Sequence, residues 1–293
     1  MEKKLLLIVN PRAGKTRSRA PFYDVIARFC QAGYLVSLRQ TAGKGAAAAL
    51  AAEAAGYDLV VCCGGDGTLN ETVSGLLTLE DRPPLGYIPC GSTNDFAASL
   101  DLPLQPQAAG RLILERPGRR LDVGTLNGRC FLYVAAFGAF TNTSYSADQT
   151  AKNDLGRLAY LLEGMRSMST LRPYHVKITA DGEVFQGGFL FGAVANATTV
   201  GGLLRLNRED VVLDDGKFEL LLIPEPRSGA DLQNLVMALL RSDYGGGGLI
   251  FRHVSDILLE TEEELPWTLD GEYEPGGGRV ELHNHRQLLE MRV

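Results

Sequence analysis

Short apolar runs in the first third of the chain each stop at a polar loop that contains glycine. Residues 5–9 (LLLIV) lead into Asn10-Pro11-Arg12-Ala13-Gly14, residues 59–63 (LVVCC) into Gly64-Gly65-Asp66-Gly67-Thr68, and residues 85–89 (LGYIP) into Cys90-Gly91-Ser92-Thr93-Asn94-Asp95. Runs of this length without alternation read as strands covered on both faces. Between them the period changes. Phe22, Val25, Ile26 and Phe29 fall on one helical face, with Pro21 suited to the first turn and Gly33 as a stop. Residues 34–38 read as a further strand, and the alanine-rich stretch 46–55 reads as a helix by propensity. Leu69, Val73, Leu76 and Leu77 recur at helical spacing. Strands alternating with helices predict a doubly wound parallel sheet, an α/β fold. In such sheets ligands sit beyond the carboxyl ends of the strands, where all three polar loops lie.

From about residue 119 the rhythm turns to hairpins. Asn127-Gly128 and Asp181-Gly182 each separate two apolar runs, and Asp215-Gly216 precedes a strand at 217–223. Residues 268–272 and 279–282 extend this strand-rich half, which predicts a mostly antiparallel second domain, a β-sandwich, with the boundary near Leu121. One helix is expected within it, from the stripe Leu158, Leu161, Leu162, Met165 and Met168. A length of 293 residues suits two domains.

Composition removes several function classes. With 45% hydrophobic and 22% charged residues the chain is globular rather than disordered. A net charge of −6 argues against a general nucleic-acid surface. Five cysteines with no C-x-x-C spacing suggest neither a disulfide framework nor a zinc ribbon, and buried thiols in a reducing, cytoplasmic setting are expected. The apolar run after Met1-Glu2-Lys3-Lys4 is too short for a secretion leader. No stretch approaches the ~18 apolar residues that cross a bilayer, so membrane association is expected to be peripheral. Oligomeric state stays open; an exposed strand edge offers one route to a homodimer.

The segment Gly64-Gly65-Asp66-Gly67-Thr68-Leu69-Asn70-Glu71 carries the clearest chemistry. Glycines let main chain approach phosphate, and a helix start offers N–H groups to an anion. Asp66 then suits either a Mg²⁺ ion bridging phosphates or proton abstraction from a hydroxyl. A tight turn with Asp66 as helix cap is the plainer alternative. The dinucleotide fingerprint fails because Asn70 stands at its third glycine, and Gly14-Lys15-Thr16 fails as a P-loop because Val9 stands at its first. Arg12, Lys15, Arg17 and Arg19 form a basic loop that suits either anion attraction or plain solvation.

Taken in order, residues 9–14, 64–71 and 89–97 (PCGSTNDFA) resemble the bacterial diacylglycerol kinase and YegS-type lipid kinase family, related to sphingosine kinases. Phe137-Gly138-Ala139-Phe140, Lys152-Asn153, Leu158-Ala159-Tyr160, Leu213-Asp214-Asp215-Gly216 and Leu269-Asp270-Gly271-Glu272 match its later blocks. The resemblance implies an ATP-dependent, Mg²⁺-requiring kinase that phosphorylates a lipid hydroxyl, most simply diacylglycerol to phosphatidic acid. It implies that residues 1–121, joined by a final strand at 286–293, form the nucleotide-binding catalytic domain. Residues 122–285 would then form the lipid-substrate domain. Asn10, Thr41, Gly65, Asp66, Gly67, Thr68, Leu69, Asn70, Glu71 and Thr93 would contact the nucleotide. From the residues alone, Thr41 also suits a helix cap, and Asn94 and Asp95 suit caps for a helix at 96–100. Asp95 would otherwise join Asp66 and Asp122 in a Mg²⁺–water network. Glu272 matches the family's general base, with Asp66 as competitor; an exposed glutamate beside a hairpin turn is the plainer reading. Asp215 would bind a structural Mg²⁺ through its side chain, and Val212 and Lys217 through their carbonyls. The family pattern is departed from at Thr72, Ser74 and Ala98.

Two other functions stay open on the sequence. An NAD kinase or phosphofructokinase-like kinase would share the Gly-Gly-Asp-Gly loop, although the blocks at Asn10-Pro11 and Asn94-Asp95-Phe96 argue against it. A non-catalytic nucleotide-binding regulator is the other.

Overall fold

The computed structural model describes residues 2–14, 22–138, 172–200 and 204–293. The helix expected at 158–168, the basic residues Lys15, Arg17 and Arg19, and the family blocks at 139–140, 152–153 and 158–160 lie outside the described residues. The chain divides into two compact units, Met1–Val123 with His285–Val293, and Gly124–Asn284.

In the first unit the order is β1 (Lys3–Val9), α1 (Phe22–Gln31), β2 (Tyr34–Gln40), α2 (Ala46–Ala52), β3 (Leu59–Gly64), α3 (Asp66–Leu76), β4 (Leu85–Pro89), α4 (Asp95–Ser99) and α5 (Pro106–Glu115). A further strand, β5 (Gly118–Leu126), leaves the unit at its last three residues. The parallel sheet runs β2-β1-β3-β4. Met291 and Arg292 extend it in parallel beside Leu85 and Gly86. The chain winds one way from β1 to β2 and the other way through β3 and β4. The carboxyl ends of β1 and β3 therefore flank the reversal in strand order, the place where this fold opens a crevice.

The continuous apolar runs are explained by burial on both faces. Leu5, Leu7, Val9, Leu59, Val61 and Cys63 join Val25 and Phe29 of α1 and Ala109 and Ile113 of α5 in one cluster. The intervening Leu6, Ile8, Val60 and Cys62 are buried too. They point to the opposite face, because side chains alternate along a strand; α2 and α3 pack against β1 and β3 there.

The second unit continues with β6 (Arg129–Phe131), β7 (Val134–Gly138), β8 (Tyr174–Ala180), β9 (Glu183–Ala195), β10 (Thr199–Val200), β11 (Leu204–Arg205), β12 (Phe218–Pro224), α6 (Gly229–Arg241), β13 (Ile250–Val254), β14 (Asp256–Glu260), β15 (Trp267–Leu269), β16 (Glu272–Glu274) and the start of β17 (Arg279–Arg292). Its pairings are antiparallel. Long β9 pairs with β8 along its first half and with β7 and β12 along its second, so strands from both sets feed one core. Phe131 stacks obliquely on Phe218 at 5.4 Å between ring centroids, and Phe137 on Trp267 at 5.0 Å. The turns at Asn127-Gly128, Asp181-Gly182 and Asp270-Gly271 each have two successive positive φ angles, the backbone that matches the strand twist in two-residue hairpins.

Helices α5 and α6 are additions to the sequence expectation. Their signals were present: Pro106 sits in the first turn of α5, and Ser228 caps α6 by accepting from the Asp231 N–H at 3.1 Å. No helix among the described residues is long and apolar enough to cross a membrane.

Helix α3 rests on α2 at Gly75, where an added Cβ would strike the Ala48 carbonyl and lie 2.8 Å from Ala51 Cβ. Helix propensity alone favours alanine by about 1 kcal/mol. Overpacking against backbone opposes it by about 1–3 kcal/mol and should win. Gly75→Ala should therefore lower the urea-unfolding midpoint; a higher midpoint would show that α2 yields freely.

Candidate functional site

The loops after β1, β3 and β4 meet through backbone. An added Cβ on Gly91 would lie 2.6 Å from the Gly65 Cα, and one on Gly65 would lie 3.1 Å from the Gly91 Cα. Gly14 closes the third contact, since a Cβ there would strike the Cys90 carbonyl. Side chains then fix the loops. Asn10 Nδ2 donates to Thr68 Oγ1 at 2.9 Å, and Asn10 Oδ1 accepts from the Arg12 N–H at 2.9 Å. Asn94, at φ 54°, uses both ends of its amide on the Gly91 main chain, each at 2.9 Å. It braces the loop, and its side chain accepts no capping bond from the first N–H groups of α4.

Helix α3 begins at Asp66, with extended Gly65 at its N-cap and no side-chain cap. Its first N–H groups thus face the loop crossing without a capping side chain, and the helix dipole makes this end attractive to an anion. Gly67, Ser92 and Thr93 are exposed at the rim, and Thr68 is buried beneath it.

Asp66 does not cap its own helix. Its carboxylate reaches across to the start of α4, accepting from the Asp95 N–H at 3.1 Å and the Phe96 N–H at 3.4 Å. Burial pushes the Asp66 carboxyl above the usual range, and these N–H donors oppose the rise. Asp95 is pushed up to about 6 by burial and by the nearby Asp66 charge. Two carboxylates thus share a poorly solvated corner beside an anion-attracting helix start. Asp122 is buried and accepts from the Gln287 N–H at 2.7 Å, holding the returning C-terminal strand.

Not every expected contact residue presents itself to this crossing. Leu69 is fully buried, and its N–H closes the first turn of α3 on the Gly65 carbonyl. Glu71 accepts from the N–H groups of Gly45 (2.7 Å) and Ala47 (3.2 Å), so it caps α2 from outside. Thr41 is not that helix's cap, since Gly45 is. The Thr41 N–H bonds the Val9 carbonyl at 2.9 Å, which sets Thr41 at the carboxyl end of the sheet beside Asn10. Asn70 lies half-buried in the second turn of α3.

In the second unit the Asp270-Gly271-Glu272 block divides its labour. Buried Asp270 accepts three main-chain N–H bonds, from Leu132 at 2.7 Å and from Tyr133 and Val134 at 3.0 Å each. That fixes the hairpin from which Glu272 opens β16, exposed at the surface. The 212–217 segment is a separate acidic turn. Asp215 Oδ1 accepts from the Lys217 N–H at 2.9 Å. Nearby Glu219 is 1% exposed, and its Oε2 has no hydrogen-bond partner among the described residues. Burial, together with the Asp215 and Asp210 charges, pushes its carboxyl up to about 9. No cluster of three or more His, Cys, Asp or Glu suited to a metal occurs among the described residues. A cation held by one carboxylate and main-chain carbonyls would not form such a cluster.

Comparison with known proteins converges on one family. Residues 4–126 match the model of the diacylglycerol kinase catalytic domain. The chain is 35% identical to a diacylglycerol kinase of Bacillus subtilis (strain 168), over 98% of this chain and 96% of that one. It is 31% identical to one of Staphylococcus saprophyticus, covering 96% and 91%. The crystal structure of a diacylglycerol kinase from Bacillus anthracis str. Sterne superposes with a TM-score of 0.75 at 25% identity, covering 99% of this chain and 96% of that one.

The Asp95 environment has a pH signature. A carboxyl raised from 3.8 to about 6 holds its proton more tightly folded than unfolded. Its contribution to stability is full below the unfolded value and is lost as pH rises through the folded one. Asp95→Asn should thus match wild type near pH 3.8 and be more stable than it above pH 6, by on the order of 1–3 kcal/mol in urea unfolding. An unchanged difference across that window would refute the buried-pair account.

Proposed function

The chain belongs to the diacylglycerol kinase family, and on that premise we propose that it transfers the γ-phosphoryl group of ATP to the free hydroxyl of diacylglycerol, giving phosphatidic acid. The observation that supports this most is the glycine-to-glycine crossing of the loops after β3 and β4, beside an α3 start without a side-chain cap. Glycine there leaves room for phosphate oxygens to meet main-chain N–H groups. Asn10, Thr68 and Thr93 add polar side chains around the crossing, and Thr41 directly follows the neighbouring strand β2. A triphosphate needs positioning and charge neutralisation more than covalent chemistry, which is what such a backbone cradle supplies.

The acceptor hydroxyl needs a base. Glu272 is our choice, because it stands where the family motif places that carboxylate and because Asp270 fixes the turn before it. Asp66 is the competitor, but its carboxylate already accepts two main-chain N–H bonds. Accepting the hydroxyl proton as the oxygen attacks phosphorus keeps a high-energy alkoxide from forming free. The lipid approaches from a membrane surface, with no spanning helix among the described residues.

Mg²⁺ fits the 212–217 turn. Asp215 would bind through its side chain and Val212 and Lys217 through their carbonyls, an oxygen-only set that suits this ion. Bound there, the ion would supply charge neutralisation and stiffness to the turn. Wild-type protein should melt at higher temperature with added Mg²⁺ than with a chelator, and Asp215→Ala should lose that difference.

Incubation with radiolabelled ATP and extracted membrane lipids should place label in phosphatidic acid, with NAD and sugar phosphates unlabelled; label in either control alone would overturn the acceptor. Glu272→Gln should lower kcat by about 10²–10⁴-fold with little change in KM for ATP. Turnover within a few-fold of wild type would pass the base role to Asp66.

A further inference from the structure

Two thiols at the loop crossing have no part in the proposed reaction. Cys63 is the penultimate residue of β3, and Cys90 immediately follows β4. Their sulfurs lie 3.0 Å apart. We infer that Cys63 and Cys90 form an oxidisable dithiol, closed to a disulfide by a hydroperoxide, and that closure disables the phosphate-binding loops.

The pair is placed to act on those loops and little else. Cys90 directly precedes Gly91 of the crossing, and Cys63 stands two residues before Gly65. The Cys90 N–H donates to the Gly64 carbonyl at 2.7 Å, and Gly14 is packed on the Cys90 carbonyl. A disulfide requires its sulfurs at about 2.05 Å, so closure draws them in by about 1 Å. Around the cysteines, main chain already touches main chain at Gly65 and Gly91. The displacement therefore passes to the loops, and a misplacement of about 1 Å can cost about 10²-fold in rate.

The two thiols are unequal in a way that suits the chemistry. Cys63 is buried in the cluster under α1 and α5, whereas Cys90 packs at its edge and is half-buried. The contact between the two sulfurs holds Cys90 below the usual thiol range, and the same contact with burial raises Cys63. Cys90 is the attacking thiolate. It attacks one peroxide oxygen, the O–O bond breaks, and hydroxide leaves and is protonated to water. The resulting sulfenic acid is attacked at sulfur by Cys63, whose proton leaves with the displaced hydroxide as a second water. The two thiols lose two electrons and hydrogen peroxide gains them. A dithiol reductant reverses the step by exchange. Cys62, by contrast, is buried on the other face and bonds Thr72. Disulfides that form transiently in reducing compartments are typically redox sensors.

The activity readout rests on the proposed kinase reaction, but the crosslink and nucleotide-binding readouts do not. Full-length protein is treated with hydrogen peroxide, then mapped by non-reducing peptide mass spectrometry. A Cys63–Cys90 link is expected, with lipid phosphorylation and ATP binding both lowered at least about tenfold and restored by dithiothreitol. Cys90→Ser and Cys63→Val should each abolish the link and keep activity after peroxide, and two variants guard against one that misfolds. Failure of the link to form, or a link that leaves ATP binding unchanged, overturns the inference. A link that weakens ATP binding in protein that phosphorylates no lipid upholds the inference and overturns the kinase reading instead.

Discussion

Main chain meets main chain where the loop after β3 crosses the loop after β4, with no room for a side chain on Gly91 and little on Gly65. Gly65 against Gly91 and Gly14 against the Cys90 carbonyl bring three strand ends to one place. The sheet's reversal of winding between β1 and β3 opens the space, and the glycines let the loops converge in it. The chemistry proposed for the first unit depends on this approach, because side chains at these positions would separate the loops and bury the N–H groups that a phosphate needs.

Two acidic side chains in this unit serve as remote helix caps. Asp66 caps the start of α4, and Glu71 caps α2. Both sit on α3, so one helix organises the starts of two others. Asp66 and Asp95 are held together in a poorly solvated corner by this capping, with raised affinity for protons. A cation or a donor-rich ligand near them would relieve that tension.

The second unit solves a different problem with the same tool. Asp270 is buried and accepts from three main-chain N–H groups, whose dipoles help to compensate its charge. Glu272, two residues on, is left at the surface. A structural acid and a candidate reactive acid thus share one hairpin, and the burial of the first fixes the place of the second.

The residues alone determined the α/β pattern followed by antiparallel strands, because periods of about 3.6 and 2 are set by local geometry and survive any packing. They also located the three loops and the Asn-Gly and Asp-Gly hairpins, whose positive φ angles few other residues accept. The signals for α5 and α6 are local as well, a proline in the first turn of one and a serine cap on the other. Leu69 and Glu71 belong to a motif that the sequence reads as one surface, yet the helix turns Leu69 into the core and Glu71 toward α2. Which side chain caps which helix, and which sulfur meets which, was decided only by the tertiary structure. Those contacts join residues some 24 to 30 positions apart, and no local rule of spacing fixes partners at that range.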